Sequence, residues 1–347
     1  MIEAQLGERF RRFSDEAQEE SLLYSVLAKA VAEDDELLAL AARAPDGQPV
    51  PNLFMAAVHH LLLADGQDPL ASFYADLTPT PRAAEAAVPA FRAFCLAHAD
   101  ALAGLLETRR VQTNEVQRAS YLYPAFSLIY RELEAPLALI EIGASAGLLL
   151  LWNRFRYRYG DAQLYGNPCG SLTLSAALRG RRPFVPDLPP PVSQRIGVDL
   201  HPLDVRRPED CGWLRALVWP ESHERRQRLD AAIAEWRAHP VRMVEGDGVD
   251  SLSPLAREIP TTSTLVVFHL HVANQMSADQ QARLFAEIAE IGRTRTVAHL
   301  YNNVHPERGL YLDVVGPRSQ SRRRLGLEDG HGRWFEWDPR AVVWSGL

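Results

Sequence analysis

Lysine is nearly absent from this 347-residue sequence, in which Lys29 is the only one. Schiff-base chemistry uses a lysine amine, and a Walker-type phosphate loop needs Gly-Lys followed by Ser or Thr, so both have almost no candidate residue. No apolar run approaches the ~18 residues that span a bilayer. The polar, acid-rich N-terminus lacks the apolar segment of a secretory signal. We therefore expect no membrane partner.

Cysteine is also scarce, and the three residues Cys95, Cys169 and Cys211 lie far apart. Their odd number and spacing argue against a disulfide framework or a zinc knuckle and favour a reducing cytoplasm. The net charge of −7 argues against nucleic acid as a general partner. Arginines cluster at 180–183, 224–228 and 321–325, a pattern that favours solvated arginine over a phosphate-binding patch.

Helical periodicity dominates the first part of the chain, and residues 1–135 are predicted to form an α-helical N-terminal domain. From residue 136 to 347, short apolar runs alternate with helical stretches, a pattern typical of βαβ units. The predicted strands are 137–143, 195–200, 241–246, 264–270 and 296–302. We expect a mostly parallel, Rossmann-like α/β sheet, with a Gly- and Pro-rich insertion at about 160–194. The tail from residue 309 is expected to add antiparallel strands at one sheet edge. For the helix between the last two predicted strands, Ser277 is the predicted N-cap and Gly292 the predicted C-cap.

A glycine-bracketed turn follows the first predicted strand, in the stretch LALIEIGASAGL (137–148). Gly143 allows a tight bend, and Gly147 allows close packing of a helix on the strand or of the backbone on a ligand. A helix is expected to start directly behind this turn. The spacing is G-x-x-x-G instead of the G-x-G-x-x-G of a dinucleotide site, and a carboxylate such as Glu141 ~4 Å from a diphosphate would cost ~1–4 kcal/mol. S-adenosylmethionine carries an amine and a positive sulfur but no phosphate, so it suits this acid better than NAD does.

Two more acids end the next predicted strands. Asp199 is placed to accept from a ribose, and Asp247, between Gly246 and Gly248, is placed to accept from an adenine amine. A structural interpretation is also open for each of them, since either acid is common in an ordinary turn. Acids at three successive strand ends favour the cofactor interpretation.

These residues resemble known families. The C-terminal part is similar to the class I S-adenosylmethionine-dependent methyltransferase fold, whose first motif is an acid, any residue and a glycine-rich turn. Ser145 stands where those enzymes usually have a middle glycine. The whole chain resembles an uncharacterised bacterial domain-of-unknown-function family, number 2332, in the stretches 51–63, 109–118, 141–160, 197–205 and 214–221. That resemblance implies the methyltransferase-like fold and brings no established substrate or catalytic residue.

The methyl acceptor is expected after the fourth predicted strand, in FHLHVANQM (268–276). His269 and His271 would share one face if the strand continued that far. They are more simply explained as a core histidine and a strand-end histidine than as metal ligands, because no third ligand is evident. His271 or Asn274 is the candidate catalytic contact or base.

The segment VQTNEVQRAS (111–120) has two open interpretations. In the structural one, Asn114 caps the following helix and Gln117 reaches back to it. In the functional one, Gln112, Asn114 and Glu115 contact the substrate or cofactor, and Tyr121 lines the same cavity. The sequence as a whole predicts a methyltransferase acting on a small molecule; the alternative is a non-catalytic scaffold or ligand-binding regulatory protein of the same fold.

Overall fold

The structure is a computed structural model that describes residues 2–160 and 163–338. The chain forms two compact units. The helical unit comprises Met1–Thr113 and Arg206–Gln227, and the sheet unit comprises Asn114–Val205 and Arg228–Leu347. The predicted domain boundary between residues 135 and 136 stays a prediction.

Helices alternate with strands only in the second half of the chain. In chain order the α-helices are α1 (Ile2–Ala17), α2 (Leu22–Val31), α3 (Asp35–Ala41), α4 (Val50–Ala64), α5 (Val88–Ala97), α6 (Ala99–Thr108), α7 (Ala119–Leu133), α8 (Pro208–Ala216), α9 (His223–Ala238), α10 (Gly248–Glu258) and α11 (Ala278–Gly292). Shorter 3-10 helices cover Pro69–Phe73, Ala84–Ala86, Val116–Arg118, Leu148–Arg154 and Ala273–Gln275.

The helical unit is held together by a buried aromatic core. The ring of Phe54 packs edge-on against Phe10 and Phe91, with centroids 6.1 Å away in each case. His59 is fully buried in this unit, where its ring nitrogens lie 3.1 Å from Asp76 Oδ2 and 3.1 Å from the carbonyl of Ala216. His59 is therefore a satisfied structural histidine.

The strands are β1 (Leu137–Ile142), β2 (Arg156–Arg158), β3 (Tyr165–Gly166), β4 (Thr173–Ser175), β5 (Ala177–Gly180), β6 (Val192–Asp199), β7 (Arg242–Glu245), β8 (Thr264–His269), β9 (Val297–Tyr301), β10 (Leu310–Val315), β11 (Gln320–Gly326) and β12 (Trp334–Trp337). The five predicted parallel strands are confirmed as β1, β6, β7, β8 and β9.

A seven-stranded, mostly parallel sheet forms the centre of the sheet unit within the described residues. Its order is β11-β10-β9-β8-β1-β6-β7, in which only β10 runs antiparallel to both of its neighbours. The chain moves outward from β1 through β6 to β7, then returns to β8 on the other side of β1. Strand order therefore reverses between β1 and β8, where ligands bind in open α/β sheets.

The crossover from β1 to β6 differs from the expectation. The helix predicted after the turn is a short 3-10 helix, Leu148–Arg154, which leads directly into β2. The predicted insertion contains several short strands, and β2 pairs with both β3 and β4 in a separate three-stranded sheet. Hence no α-helix begins at the glycine-bracketed turn.

The tail fits the expectation in part. β10 and β11 pair antiparallel and close one edge of the central sheet, as predicted. β12 instead pairs in parallel with β5 in a separate two-stranded sheet. The remaining part of the predicted tail, 339–347, lies outside the described residues.

Helix α11 begins as predicted and ends differently. Ser277 caps it, and the reciprocal capping box with Gln280 is complete. The predicted C-cap at Gly292 is wrong, since Gly292 is still helical and Arg293 follows as the cap. A Cβ on Gly292 would meet the Val315 side chain at 2.4 Å, so close packing against β10 explains this glycine.

Several arginines of the predicted solvated clusters are paired instead. Arg323 is 6% exposed and donates to Glu132, whereas Arg322 forms a forked pair with Asp313. None of the helices in the described part of the chain is long and apolar enough to cross a membrane.

Candidate functional site

The turn 143–147 after β1 has a left-handed backbone at three positions. The φ angles are 70° at Gly143, 54° at Ser145 and 73° at Gly147. A non-glycine residue costs ~1–2 kcal/mol in this conformation, so Ser145 is held there by its surroundings. The amides of Gly143 and Ala144 both donate to the carbonyl of Val198 in β6, which fixes the start of the turn against the neighbouring strand.

Both predicted glycines are required by close packing as well as by φ. A Cβ on Gly143 would come within 2.4 Å of the Val272 side chain, and one on Gly147 within 2.8 Å of the Met243 sulfur. Close packing therefore accounts for Gly147, whose neighbours are Met243 of β7, Val241 and, at 3.5 Å, Leu150 of the 3-10 helix that follows the turn.

Asp199 binds the turn. Its Oδ2 accepts from the Ser145 amide at 2.8 Å, and its Oδ1 accepts from the His201 amide at 2.9 Å. The second contact is the ordinary turn role proposed from sequence, but the first has no counterpart among the predictions. Asp199 thus connects the end of β6 to the centre of the turn.

Asn114 binds the turn from a second side. Its amide nitrogen donates to the carbonyl of Ala144 at 2.9 Å, and its amide oxygen accepts from the Leu148 amide at 3.1 Å. The predicted capping role of Asn114 is wrong, because Glu115 caps the next 3-10 helix by accepting from the Gln117 amide. Side chains therefore occupy the Ser145 amide in the turn and the Leu148 amide directly after it, both of which could otherwise bind an anion.

Glu141 is the most unusual group of the site. It lies in β1, is 3% exposed, and its Oε2 has no hydrogen-bond partner among the described residues. Burial raises the pKa of Glu141 well above its usual value, and the nearby charge of Asp199 raises it further, while Arg118 opposes both. A buried acid with an unused oxygen stays protonated until a cation reaches it.

Asp247 completes the predicted set of acids. Its Oδ1 caps α10 by accepting from the amides of Val249 and Asp250. A Cβ on the next residue, Gly248, would meet the Ile142 side chain at 2.4 Å, so this turn packs against the end of β1. Glu141 therefore lies just inside the carboxyl end of β1, Asp199 at the end of β6 and Asp247 two residues beyond the end of β7. We call the carboxyl ends of these strands, together with those of β8 and β9, the carboxyl edge.

His271 and His269 do not share a face. β8 ends at His269, which is fully buried, and His271 takes a left-handed φ of 58° beyond it. The His271 amide donates to Asn302 Oδ1 at 2.8 Å, and its ring contacts the side-chain amides of Asn302 and Asn303. Burial lowers the pKa of His271 to about 3, with contributions from Arg118 and His331, so its ring is neutral at physiological pH.

Glu328 joins this network without a sequence signal that predicts it. Its Oε1 accepts from Asn302 at 3.1 Å, and its buried Oε2 has no partner among the residues described. Burial raises the pKa of Glu328 to about 6. Asn302 is the last residue of the predicted strand 296–302 and could have been found by the strand-end rule, whereas Glu328 belongs to a distant segment without a local motif.

A family model described as "Uncharacterized protein conserved in bacteria (DUF2332)" matches residues 7–337. The chain belongs to this family. The match spans every side chain placed at the carboxyl edge and all but the first six residues of the helical unit. No curated protein matches the chain.

The remaining predicted residues of this DUF2332 member lie in different places. Tyr121 is buried in α7, and its hydroxyl has no partner within the described ranges. Asn274 is exposed on the 3-10 helix Ala273–Gln275. Gln112 belongs to the helical unit, whereas Asn114 and Glu115 belong to the sheet unit. Their roles in binding stay predictions.

Proposed function

We propose that the protein binds S-adenosylmethionine at the carboxyl edge and transfers its methyl group to a small molecule. The observation that carries this proposal is the buried carboxyl of Glu141, whose unused oxygen lies next to the point where strand order reverses. A cationic ligand would supply the missing partner of Glu141 and favour its charged form.

The donor set of the site fits a cationic nucleoside better than a dinucleotide. Two amides in and directly after the turn that could hold a phosphate already bind Asp199 and Asn114. No α-helix begins at this turn, so the dipole that favours a diphosphate in dinucleotide sites is absent here. S-adenosylmethionine has no phosphate, and when bound it supplies a methyl group on a positive sulfur.

Each acid of the carboxyl edge would hold a different part of this ligand. Glu141 would take the ammonium, Asp199 the ribose hydroxyls and Asp247 the adenine amine. Asp247 uses only Oδ1 in capping α10, so its Oδ2 is available to a ligand.

Proton acceptance from the methyl acceptor would fall to Glu328 more readily than to His271. A pKa of about 6 suits a base near neutral pH, and a pKa of about 3 does not. His271 would instead position the acceptor as a neutral hydrogen-bonding group. Asn274 would contact the acceptor from its exposed position.

The cysteines support a cytoplasmic location for this reaction. Cys95, Cys169 and Cys211 form no disulfide with one another in the described chain. Reduced cysteines are typical of proteins that work in a reducing compartment. A cytoplasmic location is therefore part of the proposal.

The methyltransferase-type form of the fold is part of the same proposal. The reversal of strand order beside β1 supports it, whereas the crossover from β1 to β6 departs from it by lacking an α-helix. A second candidate is a ligand-binding protein of this fold without catalysis. It is favoured by the amides that Asp199 and Asn114 occupy and by Val272, which packs on Gly143.

Calorimetric titration with S-adenosylmethionine and with NAD tests the proposal. We expect micromolar binding of the first, no binding of the second, and weaker binding in Glu141→Gln and Asp199→Ala. The exposed Glu258→Gln is the control and should bind like the wild type. Binding without any methyl transfer to a metabolite extract would favour the second candidate. Failure of folded protein to bind S-adenosylmethionine would refute the proposal.

A further inference from the structure

A cavity lies in the sheet unit between α11 and the antiparallel strands β10 and β11. Its volume is about 290 Å³, and its lining comes from α11, β10, β11 and the loop after β9. A cavity of ~150 Å³ is sufficient to hold benzene inside a protein, so this one accommodates a ring with a substituent. β8 and β9 separate β10 from β1 in the sheet, and the cavity is therefore distinct from the site around Glu141.

One wall of the cavity, which we call the apolar wall, consists of Phe285, Ile288 and Ala289 of α11 and Val315 of β10. Ile288 and Val315 are buried. Ala289 is exposed, as is Gln320 of β11, so the cavity opens to solvent beside these two residues. A wall of aliphatic groups with one aromatic ring favours a ligand that has an apolar, ring-shaped body.

The facing wall carries two charges that already form a pair. Asp313 is 2% exposed, and its carboxylate accepts from Nε and Nη2 of Arg322 at 2.7 to 3.1 Å. The Arg322 guanidinium also lies 5.5 Å from the centre of the Phe285 ring. An anionic ligand would be repelled by Asp313, and a cationic one by Arg322. This wall therefore favours a neutral ligand.

Tyr301 connects Asp313 to His305. Its buried hydroxyl donates to Asp313 Oδ1 at 3.2 Å and lies 3.0 Å from His305 Nε2. A hydroxyl has a single proton, so while Tyr301 donates to Asp313 its oxygen accepts from His305 Nε2–H. A neutral imidazole with its proton on Nε2 keeps a lone pair on Nδ1.

His305 has Nδ1 left for a ligand. The residue lines the cavity, and Nε2 is the ring nitrogen that Tyr301 uses. Tyr311 packs edge-on against the His305 ring, with centroids 4.6 Å apart, which restricts its orientation. Burial lowers the pKa of His305, and the charge of Arg322 lowers it further against the effect of Asp313, so the neutral ring is favoured.

We propose that this cavity binds a small neutral molecule with an apolar ring and a hydroxyl group, as in a phenol. The ring packs against the apolar wall, and the hydroxyl donates to His305 Nδ1. Tyr301 and Asp313 are positioning residues, because they hold the histidine in the tautomer that accepts at Nδ1. The site is independent of methyl transfer at the carboxyl edge.

Calorimetric titration of the full chain with four aromatic probes tests the ligand class. p-Cresol is neutral and carries a hydroxyl, 4-methylanisole carries a methyl group in place of the hydroxyl proton, and benzoate and benzylammonium are an anion and a cation. We expect saturable binding of p-cresol and no binding of the two ions. 4-Methylanisole should bind about fivefold more weakly than p-cresol, because it leaves His305 Nδ1 without a donor.

A pair of variants in α11 tests the location. Ala289→Phe places a ring in the mouth of the cavity and should abolish p-cresol binding. Ala286→Phe is the matched control, because Ala286 is exposed on the same helix and does not line the cavity. This control should bind p-cresol like the wild type.

The tautomer of His305 gives a readout that needs no ligand. Nitrogen NMR of the imidazole ring at neutral pH, with the His305 signals assigned by their loss in His305→Gln, should show the Nε2–H form in wild type. Tyr301→Phe should give a mixture of tautomers and bind p-cresol several fold more weakly. A purely structural role of Tyr301 would leave the tautomer unchanged.

Each part of the proposal has a result that overturns it. Folded protein that does not bind p-cresol, or binds it equally in wild type and Ala289→Phe, refutes the site. Equal affinity for p-cresol and 4-methylanisole refutes His305 as the acceptor, as does an Nδ1–H tautomer in wild type. Benzoate or benzylammonium that binds as tightly as p-cresol refutes the neutral ligand class.

Discussion

Replacing Glu141 by glutamine should change the pH dependence of stability in a defined direction. The raised pKa of Glu141 means that the folded protein keeps a proton that the unfolded chain releases. Ionisation in the unfolded state then favours unfolding, so stability is lost as pH rises above the ordinary glutamate value of 4.5. The loss stops growing once pH passes the folded pKa.

The size of this effect follows from proton linkage. Each pH unit between the unfolded and folded pKa of Glu141 removes about 1.4 kcal/mol from the free energy of unfolding. Glutamine has nearly the same shape as glutamic acid and cannot ionise, so the free energy of unfolding of Glu141→Gln does not fall with pH for this reason. The difference between variant and wild type should therefore grow by up to about 1.4 kcal/mol per pH unit from pH 5 upward.

Urea titrations at pH 5, 6, 7 and 8, followed by tryptophan fluorescence, measure this difference. Glu258→Gln is the control, because the hydrogen bond from Arg242 lowers the pKa of the exposed Glu258 below its ordinary value of 4.5. Both its folded and its unfolded form are ionised above pH 5, so the difference between this variant and wild type should stay nearly constant across this range. A constant difference between Glu141→Gln and wild type across this range would show that Glu141 is ionised in the free protein. A buried, protonated Glu141 would then be refuted.

Three other changes test the site. Asn114→Ala should lower the free energy of unfolding by about 1–3 kcal/mol, because two backbone groups of the turn lose their partner; an unchanged urea midpoint would contradict this. Gly147→Ala should cost about 2–5 kcal/mol through its left-handed φ and the contact with Met243, whereas Gly104→Ala, in an open helical position, should not destabilise. The free energy of unfolding of Glu328→Gln should increase by about 2 kcal/mol relative to wild type as pH rises from 4 to 7, since wild type loses stability between pH 4.5 and the folded pKa of about 6. The same urea titrations measure this, and a difference between the two proteins that does not change with pH would contradict it.

Local patterns were sufficient to predict the strands of the central sheet and the acids at their ends. Buried parallel strands such as β1 and β8 have continuous apolar sequences, and strand ends are marked by the first polar or glycine residue. The capping box of α11 was predictable because it depends on residues three apart.

Long-range contacts determined what the sequence did not reveal. The apolar stretch after Gly147 has helical periodicity, but it forms a 3-10 helix that ends at β2. Gly292 matches the local pattern of a C-cap. The contact that accounts for it is with Val315, which is distant in sequence. Asn114 binds backbone groups 30 and 34 residues away, and Glu328 binds Asn302, which is 26 residues away. No local spacing in the sequence indicates such pairs.

Proton release on ligand binding reports on whether Glu141 is the cation-binding group. Titrations of S-adenosylmethionine in buffers of different ionisation enthalpy, at constant pH, count the protons exchanged. Burial and the charge of Asp199 raise the pKa of Glu141, whereas the charge of Arg118 lowers it. A ligand ammonium would add to the effect of Arg118 and ionise Glu141, so wild-type protein should release more protons than Glu141→Gln, by up to one. Binding of equal strength with the same proton count in both proteins would contradict this role of Glu141.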